Sequence, residues 1–156
     1  MQLDLLIDGL CQPRNPGGIA TYAFLVKEGE KTIHSESGLA AKPFSDSATN
    51  NVAEYTALIK GLSWLATNGH ARTRVRVQSD SRLLVNQMLG KFRVRNTRIV
   101  PLFKKGAVLA KQFDDLIFEW VPRAQNREAD ALTMMAYNNA IIGNPELLDN
   151  AKVESE

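Results

Sequence analysis

The chain has 156 residues, 44% hydrophobic and 23% charged, with a net charge of +2, which suits one globular domain and excludes a disordered or fibrous protein. Its one cysteine, Cys11, excludes an internal disulfide, and no apolar run is long enough to span a bilayer. The opening Met-Gln-Leu-Asp-Leu-Leu-Ile-Asp carries acid where a secretory leader carries base, so a reducing, cytoplasmic setting is expected.

Residues 2–8 alternate, with Leu3, Leu5 and Ile7 on one side and Asp4, Leu6 and Asp8 on the other, as in a strand. Cys11 to Gly18 reads as a tight loop. Residues 19–27 and 32–40 read as two strands of a hairpin around Glu28-Gly29-Glu30-Lys31. A helix is predicted from Asn50 to Asn68-Gly69, with Leu58, Leu62 and Leu65 at helical spacing, Thr49 or Asn50 as N-cap and Gly69 as stop. A fourth strand follows over 73–79, then a short helix from Ser81 to Leu89 ended by Gly90. After the loop Lys91–Asn96, a helix is predicted over 97–113, which tolerates Pro101 only in its first turn. Leu116–Val121 is a fifth strand, and Asn126 to Ile142 a last helix. The order βββαβααβα predicts one α/β domain over residues 1–142, with a mixed sheet flanked by helices. The polar segment 143–156 is expected to be a frayed or disordered tail.

Charge is unevenly spread. Between Ser81 and Phe113 lie eight Lys or Arg and no Asp or Glu, leaving 11 basic and 17 acidic residues elsewhere. Such a stretch is often a solvated face, but beside acidic motifs it points to a polyanionic partner. Those motifs are Ile-Asp-Gly at Asp8, Asn-Asn-Val-Ala-Glu-Tyr at Glu54, Gln-Ser-Asp-Ser at Asp80, and Asn-Arg-Glu-Ala-Asp-Ala-Leu at Asp130. Each has an ordinary reading. Asp8-Gly9 suits a turn, Asp80-Ser81 a helix cap, and Glu54 and Asp130 are first-turn acids favoured by a helix dipole. Brought together, however, four carboxylates repel one another unless a divalent cation is present, which suggests metal-dependent chemistry on an anionic substrate. No Cys/His cluster suits zinc.

With Asn15-Pro16-Gly17-Gly18 following Asp8-Gly9, Thr49 leading the second motif and all four motifs in this order, the chain resembles a type 1 ribonuclease H over roughly residues 1–140. The resemblance implies a ribonuclease H-like fold: a five-stranded sheet of three antiparallel strands, then two parallel. It implies an endonuclease that cuts the RNA strand of RNA–DNA hybrids, leaving 5′-phosphate and 3′-hydroxyl ends, using two magnesium or manganese ions; a monomer is expected. Asp8, at the end of the first strand, would bridge both ions. Asp80 would help hold the ion on the nucleophile side, and Glu54 and Asp130 would complete the site. Gly9 would allow close backbone approach, Asn15 and Asn51 match positions that touch the hybrid, and Thr49 one that helps hold a DNA phosphate. Asn50 is a further polar candidate, with helix capping as its alternative. In the basic loop, Lys91, Arg93 and Arg95 suit phosphate contacts. Phe92 suits either a sugar contact or packing on the sheet.

The chain departs from the pattern in two places. Only a short loop stands where many members carry a long basic, tryptophan-rich protrusion, with Lys91, Arg93, Arg95, Arg98, Lys104 and Lys105 as partial substitutes; no separate hybrid-binding domain is expected ahead of the catalytic one. The loop before Asp130 lacks the histidine of better-known members; His34 and His70 are expected to be structural or solvent-facing. Arg123 in that loop resembles the arginine of an archaeal-like subset. It stays charged near neutral pH, so its expected role is electrostatic rather than that of a base. Two rivals remain open: a broader nuclease that also cuts double-stranded RNA or RNA–DNA junctions, and a catalytically silent nucleic-acid-binding domain of the same fold.

Overall fold

The computed structural model describes residues 1–147. Five strands, β1 (Gln2–Gln12), β2 (Ile19–Glu28), β3 (Lys31–Leu39), β4 (Arg74–Ser79) and β5 (Leu116–Trp120), form one sheet in the order β3-β2-β1-β4-β5. β1, β2 and β3 pair antiparallel, while β4 joins β1, and β5 joins β4, in parallel. This is the mixed sheet expected from the sequence.

Strand alternation decides the two faces. Leu3, Leu5, Ile7, Phe24, Val26, Val75 and Val77 project into one core with Leu58, Leu62 and Leu65 of α1 (Asn50–Thr67). Each of these is wholly buried, which explains why the helical spacing of the three leucines was legible. The opposite face holds Leu6 and Leu25 against Ala129 of α4 (Arg127–Gly143). The first core is completed by Leu84 of α2 (Arg82–Met88), while Leu102, Phe103 and Leu109 of α3 (Val100–Ala110) pack against it.

Several boundaries differ from expectation. β1 runs four residues past Asp8, because β2 pairs with it as far as Gln12 opposite Ile19. Asp8 is therefore inside a strand rather than at its end, and Cys11 and Gln12 belong to the strand rather than to the loop. α3 starts at Val100 and ends at Ala110, inside the expected 97–113, with Pro101 in its first turn as required. A short 3₁₀ turn, Arg123–Gln125, precedes α4. Gly143 closes α4, and the part of the expected tail from 148 to 156 lies outside the described residues.

Candidate active site

The sheet order brings the acids together. β4 lies beside β1 with Ile7 opposite Ser79, so Asp80, one residue past β4, emerges next to Asp8. α1 supplies Glu54 from its first turns. Its start is held by the Thr49 hydroxyl, which accepts from the Val52 N–H at 3.0 Å, and by Asn15 Oδ1, which accepts from the Asn50 N–H at 3.1 Å. Such a cap is worth about 1 kcal/mol. Gly9 lets this helix come close: a Cβ there would lie 2.5 Å from the Glu54 nitrogen and 2.8 Å from the Ala53 Cβ. The close approach that Gly9 permits is thus by the protein's own helix. α4 is tied to the same strand by Asn126, whose amide donates to the Ile7 carbonyl at 2.9 Å.

As a result, carboxylate oxygens of Asp8, Glu54 and Asp80 all lie within 4.8 Å of one another. Asp130 lines the same cavity of about 400 Å³, together with Gly9, Asn50 and Arg123. Arg123 Nη2 stands 3.6 Å from Asp130 Oδ1. Burial pushes the Asp8 carboxyl from 3.8 up to about 8, and the Asp80 charge adds to this. Burial, and then Asp8, hold Glu54 well above its ordinary range. Asp80 is raised by burial, while the Arg123 charge acts the other way.

Three acids that resist ionisation together form a site that a divalent cation would complete. Every nearby donor in the cluster is a hard oxygen, and Glu54 Oε2 is buried with no hydrogen-bond partner. Both features fit magnesium or manganese. The Cys11 thiol, though it borders the cavity, donates to the Arg14 and Ala48 carbonyls at 3.1 and 3.2 Å.

The other predicted residues separate into two further places. Asn15, Thr49 and Asn51 line a neighbouring cavity of about 250 Å³ with Asn96 and Arg98. Lys91, Phe92 and Arg93 line a third, of about 550 Å³. Phe92 is 51% exposed. Arg95 is exposed. Thr49, not Asn50, caps α1 with its side chain. Neither His34 nor His70 lines the acidic cavity; both rings stack with Trp64, at ring distances of 4.3 and 5.9 Å.

Sequence reasoning passed over two residues at the acids. Asn126, wholly buried, anchors α4 instead of capping it. Trp120 donates its indole N–H to the Asp80 carbonyl. Neither carries a local signal: an asparagine before a helix reads as a cap, and a tryptophan ending a strand reads as core.

The fold and its acidic cluster define a ribonuclease H-like domain. The family model described as reverse transcriptase-like matches residues 33–136, and the chain belongs to this family. A curated relative, the bifunctional protein Rv2228c of Mycobacterium tuberculosis, is 37% identical over 139 residues, 89% of this chain. The chain spans only 36% of that protein's length. The solved N-terminal RNase H domain of the same mycobacterial protein, fused to maltose-binding protein, superposes with a TM-score of 0.79 at 31% identity, covering 91% of this chain and 97% of that one. LC11-RNase H1, isolated from compost by a metagenomic approach and solved in complex with an RNA/DNA hybrid, gives 0.79 at 29% identity, covering 89% and 99%. Among the described residues no helix is long and apolar enough to cross a membrane.

Proposed function

We propose that this chain is a ribonuclease H of type 1: a metal-dependent endonuclease that hydrolyses the RNA strand of RNA–DNA hybrids and leaves 5′-phosphate and 3′-hydroxyl ends. The observation that carries this is the convergence of Asp8, Glu54 and Asp80, with Asp130 and Arg123, on one cavity. The solved complex of LC11-RNase H1 with a hybrid supports the substrate class.

Asp8, Glu54, Asp80 and Asp130 would hold two magnesium or manganese ions. When bound, such ions would supply an activated water and neutralise the charge that develops on the leaving oxygen. Arg123 adds a permanent positive charge beside Asp130, suited to gripping the scissile phosphate or the leaving oxygen. This arginine, in the loop where better-known members carry histidine, supports reading the chain as one of the archaeal-like subset. Thr49 would help hold a DNA phosphate, and Asn15 and Asn51 would touch the hybrid; the capping bonds of Thr49 and Asn15 use only their oxygens as acceptors, which leaves the Thr49 hydroxyl proton and the Asn15 amide donors for that purpose. Gly9 and Asn50 border the scissile side, where the 2′-hydroxyl must be recognised. Lys91, Arg93 and Arg95 supply phosphate contacts. The chain is taken to act as a cytoplasmic monomer.

Incubation with labelled hybrid, double-stranded RNA and DNA, in magnesium or in manganese, tests this. Cleavage of the RNA strand of the hybrid is expected. Added cleavage of double-stranded RNA would widen the substrate range, and no cleavage of any duplex would leave a nucleic-acid binder.

A further inference from the structure

The cavity of about 550 Å³ between the end of α2 and α3 is built differently from a phosphate-gripping surface. Gly90, at φ +77°, turns the chain sharply after α2, and the Asn86 carbonyl accepts from both the Lys91 and Phe92 N–H groups, at 2.8 and 3.1 Å. This fixed turn carries Phe92, whose side chain stays half exposed, while Val94 and Phe103 nearby pack against the core. Val94, Val100 and Phe103 form apolar lining, and Lys91, Arg93 and Lys104 bring three cations to the same cavity.

Gln87, 94% buried, is the remaining polar element. Its Oε1 accepts from the Tyr55 hydroxyl at 2.7 Å. That bond fixes the amide, so the hydrogen-bonding capacity it offers a ligand is chiefly that of an N–H donor. An aromatic face, apolar lining, a held donor and surrounding cations are the parts of a nucleotide site: ring for base, donor for base edge, cations for phosphate. A continuous duplex meets only the cations, because its base faces are already stacked on one another.

We propose that this cavity receives an unpaired nucleotide from a single-stranded extension of the bound nucleic acid, with its base stacked on Phe92. The inference rests on the proposed hybrid-cutting function, which places such a strand beside the cut duplex. A substrate with a tail next to the hybrid would then be held better than a blunt one.

Fluorescence anisotropy tests this with the wild-type chain and Phe92→Ala, calcium replacing magnesium to neutralise the acids without the tight octahedral geometry that magnesium demands. Two probes are compared: a blunt labelled hybrid, and the same hybrid with a single-stranded DNA extension of about six nucleotides. The extension is expected to tighten wild-type binding about ten-fold. Phe92→Ala should bring the ratio of the two affinities down to about one, whatever it does to the blunt probe itself, and circular dichroism checks that it is folded. Free deoxyadenosine monophosphate should compete the gain away. No gain in the wild type, or an equal loss on both probes in Phe92→Ala, overturns the proposal. Monophosphate bound through Phe92 without any gain from the extension also overturns it, and assigns the cavity to free nucleotides instead. A chain that cuts no hybrid yet shows the gain loses only the hybrid-cutting reading. One that cuts hybrid and shows no gain loses only this one.

Discussion

The indole N–H of Trp120 donates to the backbone carbonyl of Asp80 at 3.1 Å, tying the end of β5 to the acid that follows β4. The Arg82 guanidinium lies 4.1 Å from the centre of the same ring, so the residues flanking Asp80 are clasped from two sides. Trp120→Phe keeps a ring for Arg82 and removes the donor. A hydrogen bond worth about 1 kcal/mol predicts a rate about five-fold lower, with hybrid KM unchanged and a higher magnesium requirement. Initial rates over a magnesium series check this; a change in KM alone would point to substrate contact instead.

Arg123 is exposed and its partner Asp130 is accessible, whereas Asp8 is buried among the other acids. Arg123→Ala is therefore expected to slow cleavage by about 10²-fold without abolishing it, and Asp8→Asn to abolish it. Single-turnover rates with magnesium binding followed by calorimetry make the comparison. Equal loss in both variants, with metal binding intact, would remove the electrostatic role given to Arg123.

The Asp8 carboxyl, raised from 3.8 to about 8 by burial and then by Asp80, binds its proton more tightly in the folded, metal-free protein than in the unfolded chain. Its contribution to stability is full below pH 3.8 and is lost as pH rises through about 8. In chelator, the protein should melt lower at pH 9 than at pH 6. Asp8→Asn should flatten that dependence, an effect on the order of a few kcal/mol. Because metal uptake must displace the proton, apparent magnesium affinity should rise across the same window. Thermal melts and titrations at several pH values read both, and a flat wild-type profile would contradict the assignment.

Gly9→Ala would press a methyl group against the Ala53 and Glu54 backbone, where β1 and α1 meet. The cost expected is about 1–3 kcal/mol. Because the helix that must yield carries Glu54, magnesium affinity should fall along with stability. Denaturant unfolding and calorimetry on the same sample would show whether the two losses travel together.

Replacing both His34 and His70 removes the rings that stack with Trp64 but touches no acid of the cluster. Stability should fall by about 0.5–1.5 kcal/mol for each stacked pair lost, with the pH–rate profile unchanged. A vanished histidine-like step in that profile would show that one of them takes part in catalysis.

Much of the architecture was legible because it is written in local spacing. Leu3, Leu5 and Ile7 alternate as strand residues must, and Leu58, Leu62 and Leu65 recur at helical period; all six are wholly buried. Thr49 capped its helix as its chemistry suggested. Boundaries failed where a partner strand decided them: nothing within Gly9–Gln12 announces that β2 will pair with it. Asn15, expected to touch the hybrid, also accepts through its oxygen from the Asn50 N–H, 35 residues away, a bond that no local spacing announces.

The sequence by itself determined which residue types were available: four acids in four motifs, a basic stretch, and an arginine, Arg123, in the loop before Asp130. Only the tertiary structure decided which of them meet. The parallel register of β1 and β4 sets Asp80 beside Asp8, the bare face of Gly9 lets Glu54 in, and Asn126 pins α4 so that Asp130 closes the cavity. These contacts join residues 45 to 119 positions apart, and the side chains that make them carry no periodicity. Their reason is packing at the end of a sheet, which exists only once the sheet has formed.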